Sequence, residues 1–227
     1  MGSAFVKAVE LLFSGDAQLI NIVLVTLRMT LTSSIAAMLI GTPIGVLYAS
    51  ADFPGKKALI IINRTLMALP PVVCGLICYM LFSGVGPLRH FKLLYTVGGM
   101  IIAQMILLTP IVTGSMETYL SGVISPIRET ARGLCLSRGK TLLLTLNESR
   151  YQLISTYLFT FGRAMAEVGA VSMVGGAIAY KTNVMTTAIM QYTNRGDFTL
   201  GLALGMLLLL ISLIVNLSAY LMHRRRT

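Results

Sequence analysis

Long apolar blocks constrain this chain more than any other feature of its sequence. Five blocks stand out by length and hydropathy, at about residues 19–50, 57–83, 94–118, 151–178 and 199–222. Each is comparable to or longer than the roughly 20 residues that an α-helix needs to cross a bilayer. Only 11% of the residues are charged, against about 25% in a soluble domain. The pattern predicts an all-α membrane helix bundle with five transmembrane helices, forming one domain over residues 1–227.

Two shorter segments complete the predicted architecture. Residues 3–13 place four apolar side chains on one side, which predicts a short N-terminal interfacial helix. The segment from Asn183 to Tyr192 is too polar to span a membrane, but its pattern predicts a short helix on the outer side. Asp197 follows it and is a candidate cap for the fifth span.

The net charge of +10 indicates membrane topology rather than nucleic-acid binding, because the basic residues form no stripe interleaved with aromatic residues. The only long polar stretch, residues 121–150, lies between the third and fourth blocks. Its five basic residues are Arg128, Arg132, Arg138, Lys140 and Arg150. The positive-inside rule therefore places residues 121–150 in the cytoplasm. Alternation of the spans then predicts an outside N-terminus and a cytoplasmic C-terminus.

Two short motifs resemble ligand-binding sites, but each lacks features that such a site requires. Cys74 and Cys78 share a helix face, yet they lack neighbouring histidines or carboxylates and fit reduced packing residues better than a metal site. The stretch "GLCLSRGKT" from Gly133 resembles a phosphate-binding loop. However, five residues instead of four separate its glycines, and no strand pattern precedes it. We expect this chain to bind neither a metal nor a nucleotide.

The polar stretch also has an amphipathic pattern. Ser125 and Pro126 favour the start of a helix there. Its predicted apolar face consists of Ile127, Ala131, Leu134 and Cys135. Two interpretations remain open from the residues alone. The helix either rests on anionic membrane lipid or docks into a groove of a partner protein.

A resemblance favours the second interpretation. The residues "ETARGLC", followed by a span bearing "FGRAMAEVGAVSMVGG", resemble the E-A-A loop and next helix of ABC importer permeases. The sequence of that span, together with "ALPPVVCGL", is most similar to those of tungstate-type permeases of the oxyanion branch, which are related to molybdate and sulfate permeases. The resemblance covers nearly the whole chain. It departs at Cys135, where the family pattern has glycine, and at Ala177, where the family usually has asparagine.

The resemblance implies a MetI-like permease subunit of a type I importer in the inner membrane. It would not be an enzyme, since a separate cytoplasmic ATPase would use ATP and Mg. An extracytoplasmic oxyanion-binding protein would supply tungstate. The residues implied in ATPase coupling are Arg128, Glu129, Thr130, Ala131, Arg132 and Cys135. Alternatives are the same role for molybdate or sulfate, or a membrane scaffold without transport activity.

Oligomeric state follows from size. A chain of 227 residues is too small to enclose a transport pathway alone. We therefore expect a homodimer with the pathway along its two-fold axis.

Two groups of residues inside the spans have both a structural and a functional interpretation. Arg163 and Glu167 are four residues apart, so they either pair to fix the fourth helix against its neighbours or add positive potential beside an anion's route. Pro70 and Pro71 interrupt the second span. They either bend it or expose backbone groups to the pathway. The sequence leaves both choices open.

Overall fold

The computed structural model describes Val6 and residues 17–224, and within them the fold is all α-helical. Nine α-helices and one 3-10 turn make up this described part. The helices are α1 Ala17–Ser50, α2 Lys56–Met67, α3 Pro71–Phe82, α4 Val97–Gly133, α5 Arg138–Glu148, α6 Arg150–Met165, α7 Gly169–Gly175, α8 Met185–Asn194 and α9 Phe198–Arg224. The 3-10 turn is Arg89–Phe91. The interfacial helix predicted at residues 3–13 lies, apart from Val6, outside the described residues.

Among the described residues, three helices are long and apolar enough to cross a membrane: α1, α4 and α9. The pair α2 and α3 is a fourth candidate span, bent by 98° between Met67 and Pro71. Pro71 explains the bend, because a proline cannot donate the hydrogen bond that would continue the helix. The second predicted block is therefore a broken span.

The fourth predicted block, 151–178, is also two helices instead of one. Helix α6 ends at Met165, and α7 begins at Gly169 after a short break. Gly176 has φ +69° and ends α7 in the left-handed conformation that glycine adopts at little cost. The fourth block is therefore interrupted, a detail that the sequence did not predict, because a run of apolar residues does not reveal where the backbone turns.

Helices α1 and α4 form the centre of the bundle. A Cβ atom on Gly41 would lie 2.8 Å from Cβ of Val112, and one on Gly45 would lie 2.7 Å from Cβ of Met116. Glycine at both positions lets the two backbones approach closely, as in many membrane helix pairs. Ala37, Val112 and Met116 belong to one buried cluster along this contact. This pair fixes the frame on which the other helices pack.

Helix α4 passes through Pro126 and continues to Gly133. The prediction of a separate helix starting at Ser125 is therefore wrong. Pro126 removes the hydrogen bond to the carbonyl of Gly122, four residues earlier. Gly122 is exposed, so its carbonyl can be solvated and the helix survives. One continuous helix consequently joins the bundle to the polar segment.

Two predicted local features are confirmed. Helix α8, Met185–Asn194, lies close to the short helix predicted from Asn183 to Tyr192. The Asp197 carboxylate accepts a hydrogen bond of 3.0 Å from the backbone N–H of Leu200, so Asp197 caps α9.

Candidate functional site

Arg163 and Glu167 form an ion pair at the break between α6 and α7. Arg163 Nη1 lies 2.9 Å from Glu167 Oε2, and the Glu167 side chain is 3% exposed against 35% for Arg163. The other carboxylate oxygen, Oε1, accepts a hydrogen bond of 3.1 Å from the N–H of Ala170. The predicted mutual pair is therefore confirmed, although Glu167 lies in a break and not within a continuous helix. Its carboxylate satisfies one of the backbone donors at the start of α7.

Side chains from other helices pair with the carbonyls around this break. Gln104 in α4 donates 2.7 Å to the carbonyl of Ala164, and Thr186 in α8 donates 2.9 Å to the carbonyl of Glu167. Ser33 in α1 donates 2.6 Å to the side-chain oxygen of Gln104. A backbone break inside a membrane needs such partners because lipid offers none. Gln104 and Thr186 were not singled out from the sequence, and the available signal was a polar residue within or beside an apolar block.

The break at Pro70 and Pro71 lies beside the Glu167 break. A Cβ on Gly75 of α3 would lie 2.7 Å from Cα of Ala170, and one on Gly169 would lie 3.1 Å from the backbone N of Val72. Small residues on both helices therefore permit direct backbone contact. The structure brings the two interrupted spans together at their interruptions. Whether Pro70, Pro71, Arg163 and Glu167 line a transport route stays a prediction.

The residues expected to contact an ATPase lie on the last turns of α4. Glu129, Thr130 and Arg132 are exposed, Arg128 is half-buried, and Ala131 is 3% exposed. A cavity of about 430 Å³ separates this end of α4 from α5. Its walls include Ile127 and Thr130 of α4 and Leu144 and Glu148 of α5. The segment therefore presents polar side chains outward next to an open cleft.

Cys135 takes the place that the family pattern gives to glycine, and it adopts glycine's conformation. Its φ is +50°. The N–H of Leu136 bonds to the carbonyl of Ala131 over 2.9 Å, and the N–H of Cys135 bonds to that of Arg132 over 3.0 Å. These two bonds form a Schellman motif with Cys135 at its left-handed position. The helix ends at Gly133, so Leu134 and Cys135 lie beyond it and are exposed, and the predicted helical apolar face does not extend past Ala131.

A second ion pair, which the sequence did not reveal, joins α2 to α4. Arg64 Nη2 lies 3.5 Å from Glu117 Oε2, and the Glu117 side chain is 9% exposed. The neighbouring Asn63 donates a hydrogen bond of 3.0 Å from Nδ2 to the carbonyl of Pro110. A carboxylate in an apolar block was the available signal for Glu117.

The end of α7 packs against the loop that precedes α4. The N–H of Tyr95 donates 2.9 Å to the carbonyl of Val174, and a hydrogen bond with the Tyr79 side chain raises the pKa of the Tyr95 phenol. Ala177, which stands where asparagine is usual, has φ +48°. Asparagine adopts this left-handed conformation more readily than alanine, which gives the family preference a physical reason.

The arrangement of helices defines the class of protein. The MetNI methionine ABC transporter, solved in inward-facing conformations, contains a chain with the same fold at a TM-score of 0.76. The match covers 92% of this chain and 96% of that chain at 19% identity. The fold is that of a membrane-spanning ABC importer subunit. The chain belongs to the family of binding-protein-dependent transport system inner membrane components, whose model matches residues 41–227.

Similar chains agree with this membership. The tungstate uptake system permease protein TupB of Peptoclostridium acidaminophilum is 33% identical, covering 97% of this chain and 96% of its own. TupB of Campylobacter jejuni is 36% identical, covering 97% and 92%. The sulfate transport system permease protein CysW of Synechococcus elongatus is 28% identical, covering 84% and 71%. The chain is a multi-pass inner-membrane transport component and not an enzyme.

Proposed function

We propose that this chain is the permease subunit of an ABC importer that takes up tungstate. The observation that carries the proposal is the graded similarity. Two tungstate uptake permeases are 33% and 36% identical over 97% of the chain. The sulfate system permease is 28% identical over 84% of it. Molybdate and sulfate are the alternative substrates, since both are tetrahedral dianions like tungstate. Membership in a transport family argues against a membrane scaffold without transport activity.

The chain acts with partners in this proposal. A separate cytoplasmic ATPase binds ATP and Mg and docks against the end of α4 and the turn that follows it. This surface consists of the exposed Glu129, Thr130, Arg132 and Cys135 and the half-buried Arg128, with Ala131 buried behind them. An extracytoplasmic oxyanion-binding protein delivers the substrate to the opposite side. Two copies of the chain enclose the pathway, and membrane lipid covers the rest of the bundle. This arrangement places the N-terminus outside, the C-terminus and residues 121–150 in the cytoplasm, and treats residues 1–227 as one domain.

The route of the anion passes the two interrupted spans in this proposal. Arg163 is paired with Glu167 yet remains 35% exposed, so its positive charge is only partly neutralised and still accessible. The adjacent break at Pro70 and Pro71 leaves backbone groups without helical partners. Together they offer weak attraction to a dianion, and weak attraction suits a site that must release its cargo.

The test is uptake by the complete complex. The chain is reconstituted in liposomes with its ATPase and binding protein, and ATP-dependent accumulation of tungstate is measured by mass spectrometry. Unlabelled molybdate and sulfate are added as competitors at equal concentrations. Tungstate uptake that resists both competitors supports the proposal. Uptake of molybdate or sulfate in preference to tungstate would replace the substrate while keeping the subunit's role.

A further inference from the structure

Helix α2 is attached to α4 through a small set of polar contacts. We propose that Asn63 and Arg64 form a latch that positions α2 on α4, and that the transport cycle proposed above requires this latch to couple ATP hydrolysis to the pathway. Asn63 bonds to the carbonyl of Pro110, and Arg64 pairs with Glu117. These positioning residues belong to neither the ATPase-docking end of α4 nor the paired breaks.

The environment of α2 shows why a latch is needed. All of its side chains are at least partly exposed in the chain, including Ile61 at 64% and Ile62 at 53%. Gly55 precedes the helix with φ +86°, and the 98° bend follows it. Apolar burial within the chain therefore contributes little to holding α2 in place. Specific polar contacts carry more of that task.

Gly114 gives the latch its shape. A Cβ at this position would lie 3.2 Å from Asn63 Nδ2 and would also meet the Met67 side chain. Glycine therefore leaves a notch on α4, one turn from Pro110, into which α2 fits. The notch and the hydrogen bond specify one position of α2 along α4.

The ion pair is suited to release because its two members differ in burial. The Arg64 side chain is 63% exposed, whereas the Glu117 side chain is 9% exposed and also accepts from Ser121 Oγ over 3.2 Å. Arg64 can therefore be solvated when the pair opens. Glu117 keeps its hydrogen bonds from Ser121 and, over 3.4 Å, from Thr118 Oγ1, but loses its countercharge. An exposed arginine contributes modestly to stability, which permits opening during a cycle.

Continuity of α4 connects the latch to the ATPase. Glu117 and Glu129 lie on the same helix, twelve residues apart, which corresponds to roughly 18 Å along the axis. A displacement of the helix end by the ATPase is transmitted to α2 as long as the latch holds. Once the latch is lost, α4 moves without carrying α2.

The test compares substitutions that open the latch in different ways. Glu117→Gln and Arg64→Met each remove one charge, and Gly114→Ala fills the notch without altering a charge. Lys56→Gln is the matched charge control, since Lys56 pairs with the highly exposed Asp52. Gly98→Ala is the matched glycine control on the same helix, because a Cβ there would meet Thr96 Oγ1 at an ordinary 3.8 Å.

Two quantities are measured on the complex with its ATPase: the melting temperature, and the rate of ATP hydrolysis without binding protein or anion. We expect each of the three latch variants to raise the rate of this uncoupled hydrolysis roughly fivefold. A roughly fivefold change corresponds to the upper end of the free energy that an exposed ion pair contributes. Both controls should match the wild type. Combining Arg64→Met with Glu117→Gln should restore the melting temperature lost in Arg64→Met, because no carboxylate is left unpaired, while uncoupled hydrolysis stays high.

Two results would overturn the latch. One is hydrolysis within twofold of the wild type in all three variants. The other is recovery of both stability and coupling in the double variant, which would make the pair purely structural. Neither measurement uses an anion. A complex that shows the latch effect but does not transport tungstate would therefore refute tungstate as the substrate without contradicting the role of the latch.

Discussion

The side-chain amide of Gln104 donates a hydrogen bond of 2.7 Å to the carbonyl of Ala164 and joins the central helix α4 to the end of α6. Gln104 is fully buried and also accepts from Ser33. One side chain thus connects three helices at the point where the fourth apolar block is interrupted. The same carbonyl also accepts a hydrogen bond of 3.3 Å from the N–H of Glu167, and Gln104 adds a second partner that membrane lipid could not supply.

Gln104→Leu is expected to destabilise the subunit. It removes both hydrogen bonds and leaves the Ala164 carbonyl without this partner, at a cost of about 1–3 kcal/mol. Thermal unfolding of the purified complex in detergent measures the loss. Gln152→Leu is the matched control, since Gln152 is only half-buried and bonds within its own helix over 3.3 Å. Equal melting temperatures for the two variants would contradict the role assigned to Gln104.

Arg163→Gln and Glu167→Gln should behave as a coupled pair. Arg163→Gln leaves the Glu167 carboxylate buried without its countercharge, which we expect to cost about 1–3 kcal/mol. The double variant removes that charge and should be no less stable than Arg163→Gln alone. Unfolding of the two single variants and the double variant completes the cycle. Additive losses would show that the two residues act separately.

Gly41→Ala should disrupt the contact between α1 and α4. Its Cβ would lie 2.8 Å from Cβ of Val112 and 2.9 Å from the Thr109 carbonyl, so the helices must separate. Overpacking of this kind costs about 1–3 kcal/mol. A Cβ on Gly205 in α9 meets nothing within 4 Å, so Gly205→Ala is the control. If both alanine variants have the melting temperature of the wild type, the close contact between α1 and α4 is refuted.

Substitutions at Cys135 should follow backbone preference. Its left-handed φ of +50° favours Cys135→Gly and penalises Cys135→Val. The strain for a residue with a Cβ is about 1–2 kcal/mol, and the extra flexibility of glycine in the unfolded chain offsets about 0.5–1 kcal/mol of the gain. We therefore expect thermal stability in the order glycine, cysteine, valine. A valine variant as stable as the wild type would show that the turn does not require this conformation.

Glu129→Lys should weaken association with the ATPase. Glu129 is exposed at the end of α4, so reversal of its charge alters the docking surface while the fold is retained. Co-purification of the ATPase and stimulated hydrolysis should both fall, with the melting temperature unchanged. Glu148 lies on the facing helix α5, so Glu148→Lys is the control that tests whether any nearby charge reversal has the same effect. Unchanged association in Glu129→Lys would remove this residue from the interface.

The sequence predicted the class of fold because long apolar blocks permit few alternatives in a membrane. It also predicted the α8 helix, the Asp197 cap and the pairing of Arg163 with Glu167, since each depends on residues close together in the chain. The E-A-A pattern located the exposed polar end of α4. Local chemistry was sufficient for these features.

The sequence misplaced features that depend on which backbone groups are exposed and which are packed against other helices. Helix α4 runs through Pro126, where the carbonyl of Gly122 is exposed and can be solvated. The fourth block breaks near Glu167, where Gln104 and Thr186 from two other helices bond to carbonyls beside the break.

Membrane character, helical class and the polar segment were thus determined by the sequence itself, through the cost of exposing backbone and charge to lipid. The tertiary structure alone decided which helices break and which polar groups meet, including Arg64 with Glu117 across more than fifty residues of chain. The reason is physical. A buried polar group is stable only beside its partner, and the partner's position becomes known only when the helices are packed.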